Sequence, residues 1–297
     1  MIIVKLMGGL GNQMFQYAAA RRVALRLGTC VKFDLSFLKK PKPGDTKRKF
    51  ELDQFKIDGS VASESEVKMV KFRGISPPER VLNSIRSCIG HPGDNPNIIR
   101  EGHYHYDSSL EEACDNVYLD GYWQSERYFA SIEKDIKEEF TLLNPMVGEN
   151  LRLSEAIREG TSVSIHVRRG DYIRSEKTRR FHGVCSKGYY QRCVGEVSKR
   201  VASPHFFVFS DDPGWAENNL DFSTRTTVVA VNPPHRGHED LRLMNQCRHH
   251  ILANSSFSWW GAWLSPYPDK LVYAPGKWFA DPGMDTRDLI PEAWIQI

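Results

Sequence analysis

Short apolar runs alternate along this chain with segments whose apolar positions recur at helical spacing. Ile2-Ile3-Val4-Lys5-Leu6-Met7 reads as a strand, followed by a glycine turn at Gly8-Gly9-Leu10-Gly11. Over "NQMFQYAAARRVALRLG", Met14, Tyr17, Ala18, Arg21 and Leu25 recur at helical spacing and Gly28 ends the pattern. "CVKFDLS" is the next strand, and strand–turn–helix–strand predicts a βαβ unit on a parallel sheet. Residues 37–60 read as a basic surface loop and 72–100 as irregular; 116–140 read as a strand, a turn and a helix. "LLNPMVGENLRL" (142–153), with Pro145 and Gly148, reads as a linker. The alternation then restarts. "TSVSIHVR", "PHFFVFSDD", "TRTTVVAV", "HILAN" and "KLVYAPG" are strands; "KGYYQRCVGEVSKRV", "GWAENNL", "HEDLRLMNQCRH" and "SFSWWGAWLS" are helical. The pattern predicts an α/β protein of two Rossmann-like domains, residues 1–148 and 149–297.

Composition narrows the function classes. Hydrophobic residues make up 40% of the 297 and charged residues 26%, enough for a sizeable core. A net charge of +3 does not support wholesale nucleic-acid binding, so the basic residues matter locally. The six cysteines are irregularly spaced with no CxxC, which fits reduced thiols better than a disulfide framework. The N-terminus lacks a signal peptide, and no run reaches the ~18 apolar residues of a spanning helix. The expectation is a cytoplasmic protein, with peripheral contact to a membrane surface left open.

Chemistry concentrates where strands end. In "GGLGNQ" (8–13), glycines between strand and helix let a ligand approach the backbone at a helix N-terminus. A dinucleotide fingerprint is the rival reading. Gly9 and Gly11 fit it and Asp34 stands near the place of a ribose-binding acid, but Met14 occupies the third glycine position. Asn12 and Gln13, uncharged hydrogen-bonders, favour a sugar or phosphate. "SIHVRRGDYIR" (164–174) places Arg168 and Arg169 side by side at a strand end, before Gly170 and Asp171. Two adjacent guanidiniums call for an anion, and planar forks suit phosphate; a structural Arg–Asp pair is the bland reading. Asp171 can orient an arginine or act in acid–base chemistry.

Ser210, Asp211 and Asp212 close the strand of "FSDD" and can take ribose hydroxyls or a purine amide, or simply cap the next helix. The pair is not a spaced D-x-D metal motif. In "ANSSFSWWGAW", Ser255, Ser256 and Ser258 stand at a helix start, where hydroxyls and free amides form an anion site. Trp259, Trp260 and Trp263 read as helix core. The spacing of His235 and His238 in "HRGHED" admits a metal site, but the flanking prolines and glycine favour a loop.

Taken together, "GGLGNQMFQYA", "GYWQSERYF" (121–129), "HVRRGDY", "FSDD" and "ANSSFSWWGAWL" resemble, in order and approximate spacing, the inverting α-1,2-fucosyltransferases of glycosyltransferase family 11. "HVRR" followed by Asp also resembles the donor motif of α-1,6- and protein O-fucosyltransferases. The resemblance implies a GT-B-like fold of two facing Rossmann-type domains with parallel sheets. GDP-β-L-fucose would sit on the C-terminal half and a galactose-terminated acceptor mostly on the N-terminal half. Family members from humans carry a membrane anchor ahead of this domain; this chain looks bacterial in type. The insert at 72–105 and the "PPHRGHED" loop match no family motif, so the acceptor is not inferred from them.

On that resemblance a galactose 2-hydroxyl attacks the anomeric carbon of fucose, GDP leaves from the opposite face, and β inverts to α. Arg168 would stabilise the charge on the β-phosphate, with Arg169 sharing or holding the loop. Ser255, Ser256 and the amides around Phe257 and Ser258 would complete the phosphate cradle. From the N-terminal turn, Gly9, Gly11 and Gln13 would help bind the donor and Asn12 would reach across the cleft to the fucose or phosphate; Ser210, Asp211 and Asp212 would fix the nucleoside. Trp123, Gln124 and Tyr172 are the acceptor-side candidates. Asp171, His166 or a leaving phosphate oxygen would take the proton. The arginines would stand in for Mg²⁺, so neither metal nor cofactor is expected. An NAD-dependent oxidoreductase, a non-catalytic nucleotide-sugar binder and a transferase of another GDP-sugar are the competing readings.

Overall fold

The computed structural model describes residues 1–40, 46–75, 95–170, 180–220, 222–281 and 283–297. The chain divides into two units, Met1–Thr141 and Leu142–Ile297. The expected division after residue 148 lies at the first residue of a helix of the second unit.

In the first unit β1 (Ile2–Lys5) is apolar and buried, as befits a central strand of a parallel sheet. Helix α1 (Leu10–Leu27) follows the glycine turn. Met14, Tyr17 and Ala18 are fully buried, while Leu25, at the far end of the same stripe, is exposed. Gly28 ends the helix at φ +61°, returning its amide to the carbonyls of Ala24 and Leu25. Then come β2 (Val31–Asp34), a single helical turn α2 (Ser36–Lys39), β3 (Gly59–Val61), α3 (Glu64–Lys71), β4 (Ile98–Arg100), β5 (Val117–Asp120) and α4 (Glu133–Glu139). The sheet order is β3-β2-β1-β5-β4, every pairing parallel.

The second unit opens with α5 (Gly148–Arg158), so half of the segment expected to be a linker is helix. Pro145 and Gly148 punctuate the sequence there, but Leu153, Ala156 and Ile157 form an apolar face against Leu243, Met244 and Cys247. The alternation continues with β6 (Ser162–Val167), α6 (Lys187–Arg200), β7 (His205–Ser210), α7 (Pro213–Asn219), β8 (Thr226–Val229), α8 (Gly237–Met244), β9 (His249–Ile251), α9 (Ser256–Trp263), β10 (Val272–Ala274) and β11 (Ile295–Gln296). The sheet order β11-β10-β9-β6-β7-β8, all parallel, is that of a doubly wound Rossmann unit. Trp259, Trp260 and Trp263 are buried, as expected of core.

Both sheets reverse direction beside their first strand, between β1 and β5 in one and between β6 and β9 in the other. Open α/β sheets bind ligands outside the carboxyl ends of strands at such switch points. The motifs singled out in the sequence follow these strands: Gly8–Gln13 after β1, Gly121–Gln124 after β5, Arg168–Gly170 after β6 and Asn254–Ser258 after β9.

Candidate active site

In the second unit, Arg168 and Arg169 leave β6 beside the end of β7, its parallel neighbour. Asp211 answers both. Its Oδ2 is 3.1 Å from Arg168 Nη1, and its Oδ1 accepts the Arg169 amide at 2.8 Å. Asp212 Oδ1 caps α7 by accepting the Trp215 amide at 3.2 Å, and its Oδ2 stands 3.9 Å from Arg169 Nε. The Arg169 guanidinium lies 3.7 Å from the centre of the Trp215 ring. Ser210 Oγ accepts the Asp212 amide. Two carboxylates thus offset the repulsion of two adjacent guanidiniums and hold them in place. Gly170 leaves space for this carboxylate, since a Cβ there would stand 2.6 Å from Asp211 Oδ2.

Across the switch point, Ser255 is the N-cap residue of α9, and its hydroxyl makes no capping bond. The first amides of a helix lack intrahelical partners, so this end presents donors. Ser258 does not share that role. It is fully buried, and its hydroxyl donates to the carbonyls of Ser255 and Ala253. Phe257 packs 5.4 Å from the His166 ring and lies 3.7 Å from where a Gly237 Cβ would stand. Asn254, not singled out from the sequence, fixes the approach to α9. Its Nδ2 donates to His182 O at 2.7 Å and Trp278 O at 3.2 Å.

His166 is buried, and its Nδ1 has no hydrogen-bond partner among the described residues. Burial first, and the Arg168 charge second, push it down to about 3, with Asp211 opposing. It is therefore neutral near pH 7 and a weak base. The shift also acts on stability. Because the folded value lies below the unfolded one near 6.5, the unfolded chain takes the proton first, so this contribution is complete above pH 6.5 and is lost as pH falls towards about 3. His205, His249 and His250 are lowered too, by burial first, and act in the same sense. The thermal midpoint is expected to fall over this window, and His166→Phe to make the fall shallower; an unchanged slope would contradict the assignment. Asp171 and Tyr172 lie outside the described residues.

In the first unit, Gly8 stands at φ +74°, and a Cβ there would meet Asn12 Nδ2 at 2.2 Å. Gly9 is the N-cap residue of α1 and Gly11 lies buried in its first turn. Asn12 Oδ1 accepts from Gln124 Nε2 at 2.8 Å, a bond that spans the switch point. Gln13, grouped with Asn12 as a ligand contact from sequence, is fully buried. Its amide bridges backbone, donating to Gly8 O and Lys49 O and accepting from the Glu51 amide. Trp123, expected on the acceptor side, is likewise fully buried, edge-on to Tyr128, and exposes no ring face. Asp34 accepts from Tyr118 at 2.6 Å and from the Ser36 amide at 2.8 Å, with Lys71 Nζ at 3.9 Å. Its carboxylate is engaged inside the protein.

Among the described residues no three His, Cys, Asp or Glu side chains converge to hold a metal. The described cysteines, Cys30, Cys114, Cys185, Cys193 and Cys247, are free thiols. No described helix is long and apolar enough to cross a membrane.

Residues 99–297 match the family model for glycosyl transferase family 11, two thirds of the chain. The chain belongs to glycosyltransferase family 11. An alpha-1,2-colitosyltransferase of Escherichia coli is 33% identical over 298 residues, covering 100% of this chain and 98% of that one. A galactoside 2-alpha-L-fucosyltransferase, SEC1, of Bos taurus is 32% identical over 177 residues, covering 54% of this chain and 47% of its own. Among solved structures, the fucosyltransferase NodZ from Bradyrhizobium superposes with a TM-score of 0.51 at 15% identity, over 89% of this chain and 93% of that one. The family 11 chain accordingly has a GT-B-like fold, with two Rossmann-type units on parallel sheets.

Proposed function

We propose that this family 11 glycosyltransferase moves L-fucose from GDP-β-L-fucose to the 2-hydroxyl of a terminal galactose, giving an α-1,2 linkage with inversion. The observation that carries the reading is the pair Arg168 and Arg169, held by Asp211 at the carboxyl end of β6, beside the start of α9 at the switch point. The diphosphate is assigned to Arg168, Ser255, Ser256 and the first amides of α9. A guanidinium offers five N–H donors in a planar fork that suits a diphosphate. The acceptor is assigned to the first unit, near Asn12 and Gln124.

In the reaction the acceptor O2–C1 bond forms as the C1–O bond to the β-phosphate breaks, and GDP leaves with the charge. Preorganised donors aimed at that charge supply the main stabilisation. The acceptor proton goes to a carboxylate or to the departing phosphate. Neutral, buried His166 suits neither end of that transfer. Asp171 keeps its place as the carboxylate candidate. The arginines supply the positive charge, so the reaction is expected to run in EDTA.

A second reading has its own support, since a relative matching the whole chain is named a colitosyltransferase. Colitose is fucose without its 3-hydroxyl, so the same diphosphate site serves either donor. The oxidoreductase reading loses its ribose acid, because Asp34 is engaged by Tyr118, Ser36 and Lys71. The test is titration calorimetry in EDTA with GDP, GDP-fucose, GDP-colitose, GDP-mannose and NADH, followed by transfer to galactose-terminated acceptors. Binding of GDP and GDP-fucose with turnover supports the proposal. Turnover of GDP-colitose alone selects the second reading, binding without turnover selects a nucleotide-sugar binder, and preference for NADH overturns all three.

A further inference from the structure

We infer that Glu101 is a positioning residue for the transfer: its carboxylate locks the Gly121–Gln124 turn, and through Gln124 that turn fixes the orientation of the Asn12 amide. The inference rests on the reading above in placing Asn12 at the acceptor side.

Glu101 follows β4 directly at the carboxyl edge of the first sheet. Its Oε2 accepts the Tyr122 amide at 2.6 Å and its Oε1 the Trp123 amide at 2.8 Å. Both oxygens therefore hold backbone of one turn. That turn is strained in two ways. Trp123 stands at φ +56°, a region β-carbon residues avoid, and its buried indole Nε1 has no partner among the described residues. Gly121 is wedged in as well, since a Cβ there would come 2.5 Å from Glu101 Cβ and 2.8 Å from Trp123 Cε2. Such conformations persist only when their surroundings over-determine them, and the double acceptor of Glu101 does so here.

What the turn carries explains why it is held. Gln124 Nε2 donates to Asn12 Oδ1 at 2.8 Å, and Gln16 Nε2 donates to Gly121 O at 3.2 Å while its Oε1 accepts the Met7 amide at 3.0 Å. The turns after β1 and β5 are thus tied at two points on either side of the switch. An Asn amide has a donor end and an acceptor end, and the Gln124 bond decides which faces where. Burial also pushes the Glu101 carboxyl up to about 7, against the two amides and His103, with Asp107 adding to the rise. Ionised above that pH, it supplies what an amide side chain lacks, two acceptors side by side.

The test is a kinetic cycle of wild type, Glu101→Gln, Asn12→Ala and the double variant with GDP-fucose and a galactose-terminated acceptor, with thermal midpoints alongside. Glu101→Gln turns one acceptor into a donor facing an N–H. A displacement on the order of an ångström costs roughly 10²-fold in rate. We expect kcat to fall about tenfold or more in Glu101→Gln, with KM for GDP-fucose changed less than about threefold, and no further loss in the double variant over Asn12→Ala. An unchanged kcat in folded Glu101→Gln, or fully additive losses, overturns the inference. Gln124→Leu leaves the clamp in place and is expected to reproduce the kcat loss; a fully active Gln124→Leu also overturns it, even where Glu101→Gln does not fold. Hydrogen exchange at the Tyr122 and Trp123 amides needs no substrate. Exchange must quicken in Glu101→Gln, and unchanged protection defeats the clamp. If wild type transfers nothing from GDP-fucose, the functional reading fails while the exchange result still decides whether Glu101 clamps the turn.

Discussion

Arg168→Ala is expected to lower kcat/KM for fucosyl transfer by about 10²–10³-fold and to remove most of the affinity for GDP. Losing one preorganised donor to a developing oxyanion costs typically ~2.7–4 kcal/mol. Here the loss belongs at the upper end of that range, because Asp211 Oδ2 would remain 3.1 Å from where the guanidinium stood, with only the Arg169 amide still answering the carboxylate. An unpaired carboxylate at a diphosphate site opposes binding as well as catalysis. Arg168→Lys keeps the charge and loses the planar fork, so only part of the activity is expected to return. Calorimetry with GDP and steady-state kinetics, on protein with an unchanged thermal midpoint, check this. Wild-type affinity for GDP in Arg168→Ala would make the arginine no more than a structural partner of Asp211.

The sequence already carried the architecture around these residues. Apolar runs bounded by glycine and polar turns located the strands of both sheets that flank the switch points, and the motifs stood at their carboxyl ends. Failures came where local pattern and tertiary role part company. The strand β3 (Gly59–Val61) is exposed along its whole length, and β4 (Ile98–Arg100) spans only three residues, so neither shows an apolar run. Helix α3 did carry a readable signal, the capping box of Ser63 with Glu66. Helix α5 was masked by Pro145 and Gly148, residues that mark a turn before a helix as readily as a linker.

Within the site, residue type indicated chemistry but not direction. Gln13 and Asn12 are adjacent and similar, yet one is sealed into backbone hydrogen bonds and the other meets Gln124 across the switch point. Ser258 resembles Ser255 in sequence, but one helical turn on it points back at the carbonyl of Ser255. Glu101 has no motif around it, and its role appears only when β4 and β5 pair and bring it to the amides of Tyr122 and Trp123. The arginine pair raised the question of its counter-charge. Asp211, 42 residues on from Arg169, supplies it because β6 and β7 pair in parallel and in register, Val167 opposite Ser210.

Asp211→Ala is expected to lower kcat/KM by about 10–100-fold, the range reached when a substrate-positioning group shifts by about an ångström. Removing the carboxylate frees the Arg169 amide and leaves the Arg168 guanidinium without its ion-pair partner. The arginines remain and still attract a diphosphate, so the loss is expected mainly in kcat, with GDP affinity reduced less than in Arg168→Ala. Asp211→Asn retains an Oδ1 acceptor for the Arg169 amide and drops the charge facing Arg168, and an intermediate loss should follow. Gly170→Ala separates geometry from charge. Its new Cβ would stand 2.6 Å from Asp211 Oδ2 and 3.1 Å from Cγ, so the carboxylate must leave its place although every charge is retained. If Gly170→Ala matches Asp211→Ala, the aspartate acts by holding the arginines in position. If Gly170→Ala is fully active, the carboxylate has room to give and the clamp is not what limits the rate. Residues acting through one contact are not additive, and the cycle with Arg168→Ala measures that coupling. Once Arg168 is gone, Asp211→Ala should cost much less than it does in wild type.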